Sequence, residues 1–272
     1  MTKDESIKLL LNLLSYSTPY SHEKGFYEPF LPKGGVWDEQ NNYIITQGNK
    51  SESLFACHLD TVGGKAVEIK PELDGGFIFT DNPGIVCLGG DDKCGVLCLM
   101  AMIEANIPGT YIFHSGEECG GIGAANILDT TDLSLFKRAI EFDRLGTSSI
   151  ITAMGGGIRC ASDEFALTLA KSLGGEFAPD PTGLYTDVFD YKHLIPECVN
   201  LSVGYYNGHT KNEIIDAKWL IDEFIPKIIS IDWESLPVFR SHLDEEEYLF
   251  NDDFDLYDMS DYPDSLEYLE KQ

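Results

Sequence analysis

Histidines and carboxylates in this 272-residue chain gather in a few short motifs, each just after a run with strand character. His58-Leu59-Asp60 follows the apolar run 54–57, and Gly89-Gly90-Asp91-Asp92-Lys93 follows 85–88. His114, Gly116, Glu117 and Glu118 follow 111–113, Asp143 follows 139–142, and the loop carrying His209 follows 199–203. Ligands of α/β sheets bind beyond the carboxyl ends of the strands. Five such ends, each offering an imidazole or a carboxylate, therefore converge on one rim. Two histidines and at least three carboxylates without a thiolate suit zinc, or manganese or cobalt, rather than a structural cysteine site.

Spacing within the motifs supports this chemistry. In His58-x-Asp60 the two side chains point the same way along an extended chain, so Asp60 can meet the imidazole nitrogen that faces away from a metal. Glu117 and Glu118 are adjacent and diverge, so one can ligate while the other faces a metal-bound water. Singly, each motif has a plainer reading: a turn for His58–Asp60, acidic capping of the next helix for Asp91-Asp92, a solvated face for Glu117-Glu118, a structural role for His209. Jointly, at successive strand ends, the plain readings lose to a shared site. His22 and His242 read as surface residues, and His114 and His193 have no assignment.

The elements that must position these residues follow from periodicity. Residues 5–16 and 163–173 carry helical apolar patterns, the second opening on the N-cap Ser162 and stopping at Gly174-Gly175. Residues 94–105 are apolar nearly all round, as in a helix buried against a sheet. Strands are expected at 43–46, 54–57, 85–88, 111–113, 139–142, 150–152 and 199–203, a hairpin between 67–69 and 77–79, and a closing helix at 216–229. The alternation specifies an α/β fold: a mixed, largely parallel central sheet flanked by helices on both faces.

Hydrophobic residues make up 43% and charged residues 24%, which excludes a mainly disordered chain. Nineteen Lys+Arg against 46 Asp+Glu give a net charge of −27, which argues against nucleic acid and membrane as partners. Residues 241–272 hold twelve acids and one lysine, a net of −11, and leave −16 for the first 240. The expected organisation is a catalytic domain over 1–240 and a solvated acidic tail over 241–272, dispensable for catalysis and available to a protein partner. The first apolar stretch is too short to span a membrane and lacks the basic start of a signal peptide, so the cytoplasm is expected. Seven cysteines without a CxxC pair fit reduced, mostly buried thiols.

The ordered set HLDTV (58–62), LGGDDKCG (88–95), SGEECGGIGA (115–124), EFDR (141–144), TGLYTD (182–187) and GHTKNE (208–213) resembles the co-catalytic di-zinc exopeptidase superfamily. That superfamily includes peptidase T, the aminoacylases, carboxypeptidase G and the bacterial leucyl aminopeptidases. The resemblance spans about residues 5 to 230. It implies two divalent metal ions bridged by Asp91, with Asp143 and His58 completing one site and Glu118 and His209 the other. It further implies that Asp60 orients His58, that Glu117 is the general base, and that the Asp91–Asp92 peptide bond is cis. The reaction implied is attack of water on an amide carbonyl polarised by the metals.

One departure is plain. Peptidase T and the aminoacylases insert a lid or dimerisation domain between the ligands matching Asp143 and His209, where this chain has only 65 residues. A lidless single-domain form is expected, closer in layout to the leucyl aminopeptidases. The resemblance assigns no role to Arg144. The expected function is a metallo-aminopeptidase acting on small peptides. The alternatives are a carboxypeptidase or N-acyl amino acid deacylase, and, from another class, a catalytically dead binding module.

Overall fold

Successive side chains of Leu54-Phe55-Ala56-Cys57 point to opposite faces and all four are apolar, so a strand built from them needs cover on both sides. The computed structural model, which describes residues 1–49 and 51–241, provides that cover. The central sheet has eight strands. In chain order these are β1 (Val36–Trp37), β2 (Tyr43–Gln47), β3 (Ser53–His58), β4 (Gly109–His114), β5 (Arg138–Arg144), β6 (Ser149–Ile151), β7 (Ala178–Asp180) and β8 (Glu197–Ser202). Their spatial order is β1-β2-β4-β3-β5-β8-β6-β7. The central run β4-β3-β5-β8 is parallel throughout, as is β6–β7, while β1–β2, β2–β4 and β8–β6 are antiparallel.

The helices used below are α1 (Lys3–Leu13), α2 (Gly90–Glu104), α3 (Ile122–Thr130), α4 (Asp163–Leu173) and α5 (Ile225–Ser230). Phe55 and Cys57 share one core with Leu10 and Leu13 of α1, Val96 and Leu97 of α2, Phe165 of α4 and Ile228 of α5. Leu54 and Ala56 turn the other way, into a second core with Ala124 and Ile127 of α3. Helices thus cover both faces of a mixed, largely parallel sheet, as the alternation requires. Thr2 closes a capping box with Glu5 at the start of α1, and Ser162 accepts the Phe165 N–H at 3.1 Å to start α4.

Two expected elements differ. Residues 85–88 form no strand: both edges of β3 are taken by β4 and β5, so the run finds no free edge there, and Val86 is left exposed. The hairpin arm is Glu72–Asp74 rather than 67–69. Gly75 and Gly76 both take positive φ, and this two-residue turn pairs Asp74 with Phe77 and Glu72 with Phe79. Val67 and Ile69 instead bond the main chain of Ser17 and Ser15.

Arm Phe77–Phe79 also pairs with Ile214–Asp216, which pairs with Tyr205–Tyr206. This second, four-stranded sheet anchors both ends of the loop carrying His209. Met1–Arg240 forms one compact unit. The expectations for 241–272 and for His242 lie, Ser241 apart, outside the described residues. Among the described residues no helix is long and apolar enough to cross a membrane. All seven cysteines are unpaired, and six of them are buried.

Candidate metal centre

The parallel run β4-β3-β5-β8 aims four carboxyl ends at one rim. His58 is the last residue of β3, and Asp143 lies next to last in β5. Glu117 and Glu118 sit in a single 3-10 turn after β4, and His209 in the loop after β8. Asp91 comes from the start of α2, where Asp91 and Asp92 are non-helical and joined by a cis peptide bond. The implied cis bond is therefore present.

All five proposed ligands meet there. Asp91 divides its carboxylate between two imidazoles: Oδ1 lies 2.9 Å from His58 Nε2, and Oδ2 lies 3.1 Å from His209 Nε2. Asp143 Oδ1 stands 3.5 Å from His58 Nε2, and Glu118 Oε1 stands 2.7 Å from His209 Nε2. His58, Asp91 and Asp143 are buried, while the His209 side chain is 52% exposed and closes the solvent side.

This donor set fits divalent ions. Donors about 2.1 Å from a tetrahedral centre are about 3.4 Å apart, and the separations found run from 2.7 to 3.5 Å. Asp143 Oδ1 is buried and accepts no hydrogen bond. Asp92 also approaches His58 and Asp143. Its oxygens, however, already accept the backbone N–H groups of His58 (3.1 Å) and Gly95 (3.0 Å), which makes it a brace rather than a ligand.

Without a cation, carboxylates and imidazoles compete for protons. Burial pushes the His58 ring down, but the Asp143, Asp60 and Asp91 carboxylates override it and hold its pKa well above the usual histidine value. Asp91 and Glu118 raise His209 to about 11. Burial and the nearby Asp91 charge push Asp143 up to about 6, and burial raises Glu117 well above the ordinary carboxylate range.

The Asp60 carboxylate does a job its spacing does not announce. Its oxygens accept three successive backbone N–H groups, Gly116 at 3.0 Å, Glu117 at 3.1 Å and Glu118 at 3.2 Å. His58 Nδ1 instead meets the Asp60 main-chain carbonyl at 3.0 Å, and the carboxylate stands further off at 3.5 Å. Glu213 acts in the same way on the turn at 89–91, accepting Gly89 N–H at 2.7 Å and Asp91 N–H at 3.0 Å. Each acidic turn is thus held by a carboxylate bound to its main chain.

Asp143 has its own frame. Thr186 donates to Oδ2 at 2.9 Å, Asn200 accepts the Asp143 N–H at 2.9 Å, and the Tyr205 hydroxyl donates to its carbonyl at 2.9 Å. Glu213 and Thr186 lie inside the motifs 208–213 and 182–187, which are the signal that could have found them. Asn200 and Tyr205 carry no such signal. Arg144 leaves β5 toward Asp180, 4.0 Å away.

No family model matches the sequence, and no curated protein matches it. Solved structures do match. Aminopeptidase PepT from Bacillus cereus superposes with a TM-score of 0.68 at 17% identity, over 84% of this chain and 97% of that one. A tripeptidase from Staphylococcus aureus gives a TM-score of 0.67 at 15% identity, over 84% and 97%. The TET1 peptidase of Pyrococcus horikoshii gives 0.61 at 17%, over 84% and 99%. The fold is that of solved aminopeptidases. On this aminopeptidase-like fold, the five donors and the two turn-holding carboxylates stand at the carboxyl edge of the sheet.

Proposed function

We propose that this chain is a di-metal exopeptidase that removes residues from the free N-terminus of short peptides. The observation that carries the reading is the Asp91 carboxylate, which faces His58 with one oxygen and His209 with the other. His58, Asp143 and Asp91 would hold one ion, and Glu118, His209 and Asp91 the other. Zinc suits these donors best, with manganese or cobalt as substitutes. When bound, the two ions supply Lewis acidity toward the scissile carbonyl and the attacking water.

The chain's own groups do the rest. Glu117, beside the ligand Glu118, takes a proton from the attacking water as the new C–O bond forms. It returns that proton to the amine nitrogen as the C–N bond breaks. Burial raises the Glu117 pKa above the ordinary carboxylate value, the direction that helps a carboxyl group hold a proton between accepting and donating it. Asp60 holds the Glu117 main chain, and Glu213 holds that of Asp91.

Preference for the amino end is supported by charge. A net of −16 over the first 240 residues favours a substrate ammonium over a carboxylate. Arg144, the cation next to a ligand, is drawn to Asp180. A lidless form is supported by β6 and β7, both from the segment between Asp143 and β8, which stand in the central sheet itself. Six buried, unpaired cysteines support a reducing compartment such as the cytoplasm.

The deciding experiment offers the zinc-loaded chain one peptide sequence in free, N-acetylated and C-amidated forms. Aminopeptidase action requires that acetylation abolish cleavage and amidation not. The reverse pattern would move the function to a carboxypeptidase or deacylase. No cleavage of any form by a chain holding its metals would leave a binding module.

A further inference from the structure

Behind the rim, a second set of metal-type donors meets in the interior. His114 ends β4 in register with His58 of β3, Glu141 lies in β5, and Asp187 opens the 3-10 turn Asp187–Tyr191. None of the three belongs to the rim cluster, and all are 0% exposed. One donor atom from each lies within 4.8 Å of the other two. His114 Nδ1 and Asp187 Oδ2 are 3.4 Å apart, the spacing of two donors on one ion.

The unusual feature is what these atoms lack. His114 Nδ1, Glu141 Oε1 and both Asp187 carboxylate oxygens have no hydrogen-bond partner, although fully buried polar atoms nearly always have one. The opposite ends of two of the side chains are held. Tyr191 Oη lies 2.6 Å from His114 Nε2, and the Val188 N–H donates to Glu141 Oε2 at 2.9 Å. A metal ligand is typically fixed in this way, with the outer atom hydrogen-bonded and the inner atom left for the ion. Once ionised, two carboxylates in the interior would need a compensating positive charge, which one divalent ion supplies.

The geometry points to a buried binding site for a divalent ion of the zinc–manganese class, held by His114 Nδ1, Glu141 Oε1 and the Asp187 carboxylate. The site stands on this cluster alone and does not depend on the peptidase reading. Its ion ties β4 and β5 to the segment that carries Thr186, whose hydroxyl bonds Asp143 of the rim.

The test counts zinc in the full chain. Protein stripped by a chelator is equilibrated with buffered Zn²⁺, freed of unbound metal and analysed for zinc per chain. The double variant His58→Ala/His209→Ala removes both rim imidazoles and is expected to keep one zinc. Adding Glu141→Gln to it, a substitution of equal size, should bring the count to none. Zinc should also raise the melting midpoint of the double variant and not that of the triple variant. A zinc-free double variant, or a count unchanged by Glu141→Gln, overturns the site. Should the triple variant not fold, the double variant decides by itself, one zinc supporting the site and none refuting it. Failure of the rim reading would look different: the wild type would then hold no more zinc than the double variant.

Discussion

Replacing Asp60 by asparagine separates two roles for that residue. If it only orients His58, the substitution should weaken metal binding and little else. The structure assigns it a larger load, three backbone N–H bonds from Gly116, Glu117 and Glu118. A charged acceptor makes a hydrogen bond worth roughly 1.5–3 kcal/mol, against roughly 0.5–1.5 for a neutral one. Asparagine keeps one oxygen, so the Gly116 and Glu117 bonds weaken by about 1 kcal/mol each. Its amide nitrogen then faces the Glu118 N–H, and the lost acceptor costs about 1–3 kcal/mol more.

The total, about 3–5 kcal/mol, is a large part of the roughly 5–15 kcal/mol that keeps a domain folded. Urea unfolding followed by circular dichroism should show the midpoint falling by roughly 1–2 M. Zinc content at saturation should persist, because the Asp60 carbonyl still holds His58 Nδ1. Turnover should drop as Glu117 loses its fixed position. An unchanged urea midpoint together with lost zinc would refute the turn-holding role and restore the orienting one.

Glu117→Gln should leave both metals in place and lower turnover by about 10²–10⁴-fold, the usual contribution of a general base; near-wild-type turnover in a metal-replete variant would remove Glu117 from that role. Metal loading should expel protons. His209 titrates at about 11 in the metal-free chain, so at pH 7 its ring is protonated, and loading must release that proton because a ligating imidazole is neutral; the carboxylates around His58 raise its pKa in the same direction. Affinity should therefore rise with pH between 6 and 8, and the calorimetric heat should change with the ionisation enthalpy of the buffer; a heat independent of buffer would contradict this. Gly95→Ala should destabilise, although alanine in a helix interior is ordinarily better than glycine by roughly 0.5–1 kcal/mol. A Cβ at Gly95 would stand 2.0 Å from the Phe142 carbonyl oxygen, so α2 would have to lift off β5. A melting temperature equal to or above wild type would show that the contact is not tight.

Much of the architecture is legible in local sequence, because periodicity and caps act over a few residues. Ser162 and Gly174-Gly175 delimit α4 at the residues expected, and the run 94–105, apolar nearly all round, marks a helix buried against the sheet. The acidic and histidine motifs were legible for a related reason. For His58, Glu117-Glu118 and Asp143 a strand end followed by a polar residue signals a rim position whatever the partners are, whereas Asp91 comes to the rim from the start of α2.

Partnership is decided by tertiary structure alone. Residues 85–88 look like a strand by composition, but a strand exists only where a neighbour has a free edge, and β3 has none. Asp60 was legible as a site residue, but its hold on the turn at 116–118 depends on β3 and β4 lying side by side in register. Glu213 reaches the start of α2 across 122 positions of chain from Asp91, a distance no local pattern encodes. The enclosure of His114 with Glu141 and Asp187 needs two strands and a turn from three separate stretches, each ordinary by itself. Sequence by itself thus determined which residues could do chemistry and at which edge of the sheet. Folding decided which atoms face one another, because that depends on register and on which edges remain free, and both are properties of the assembled sheet.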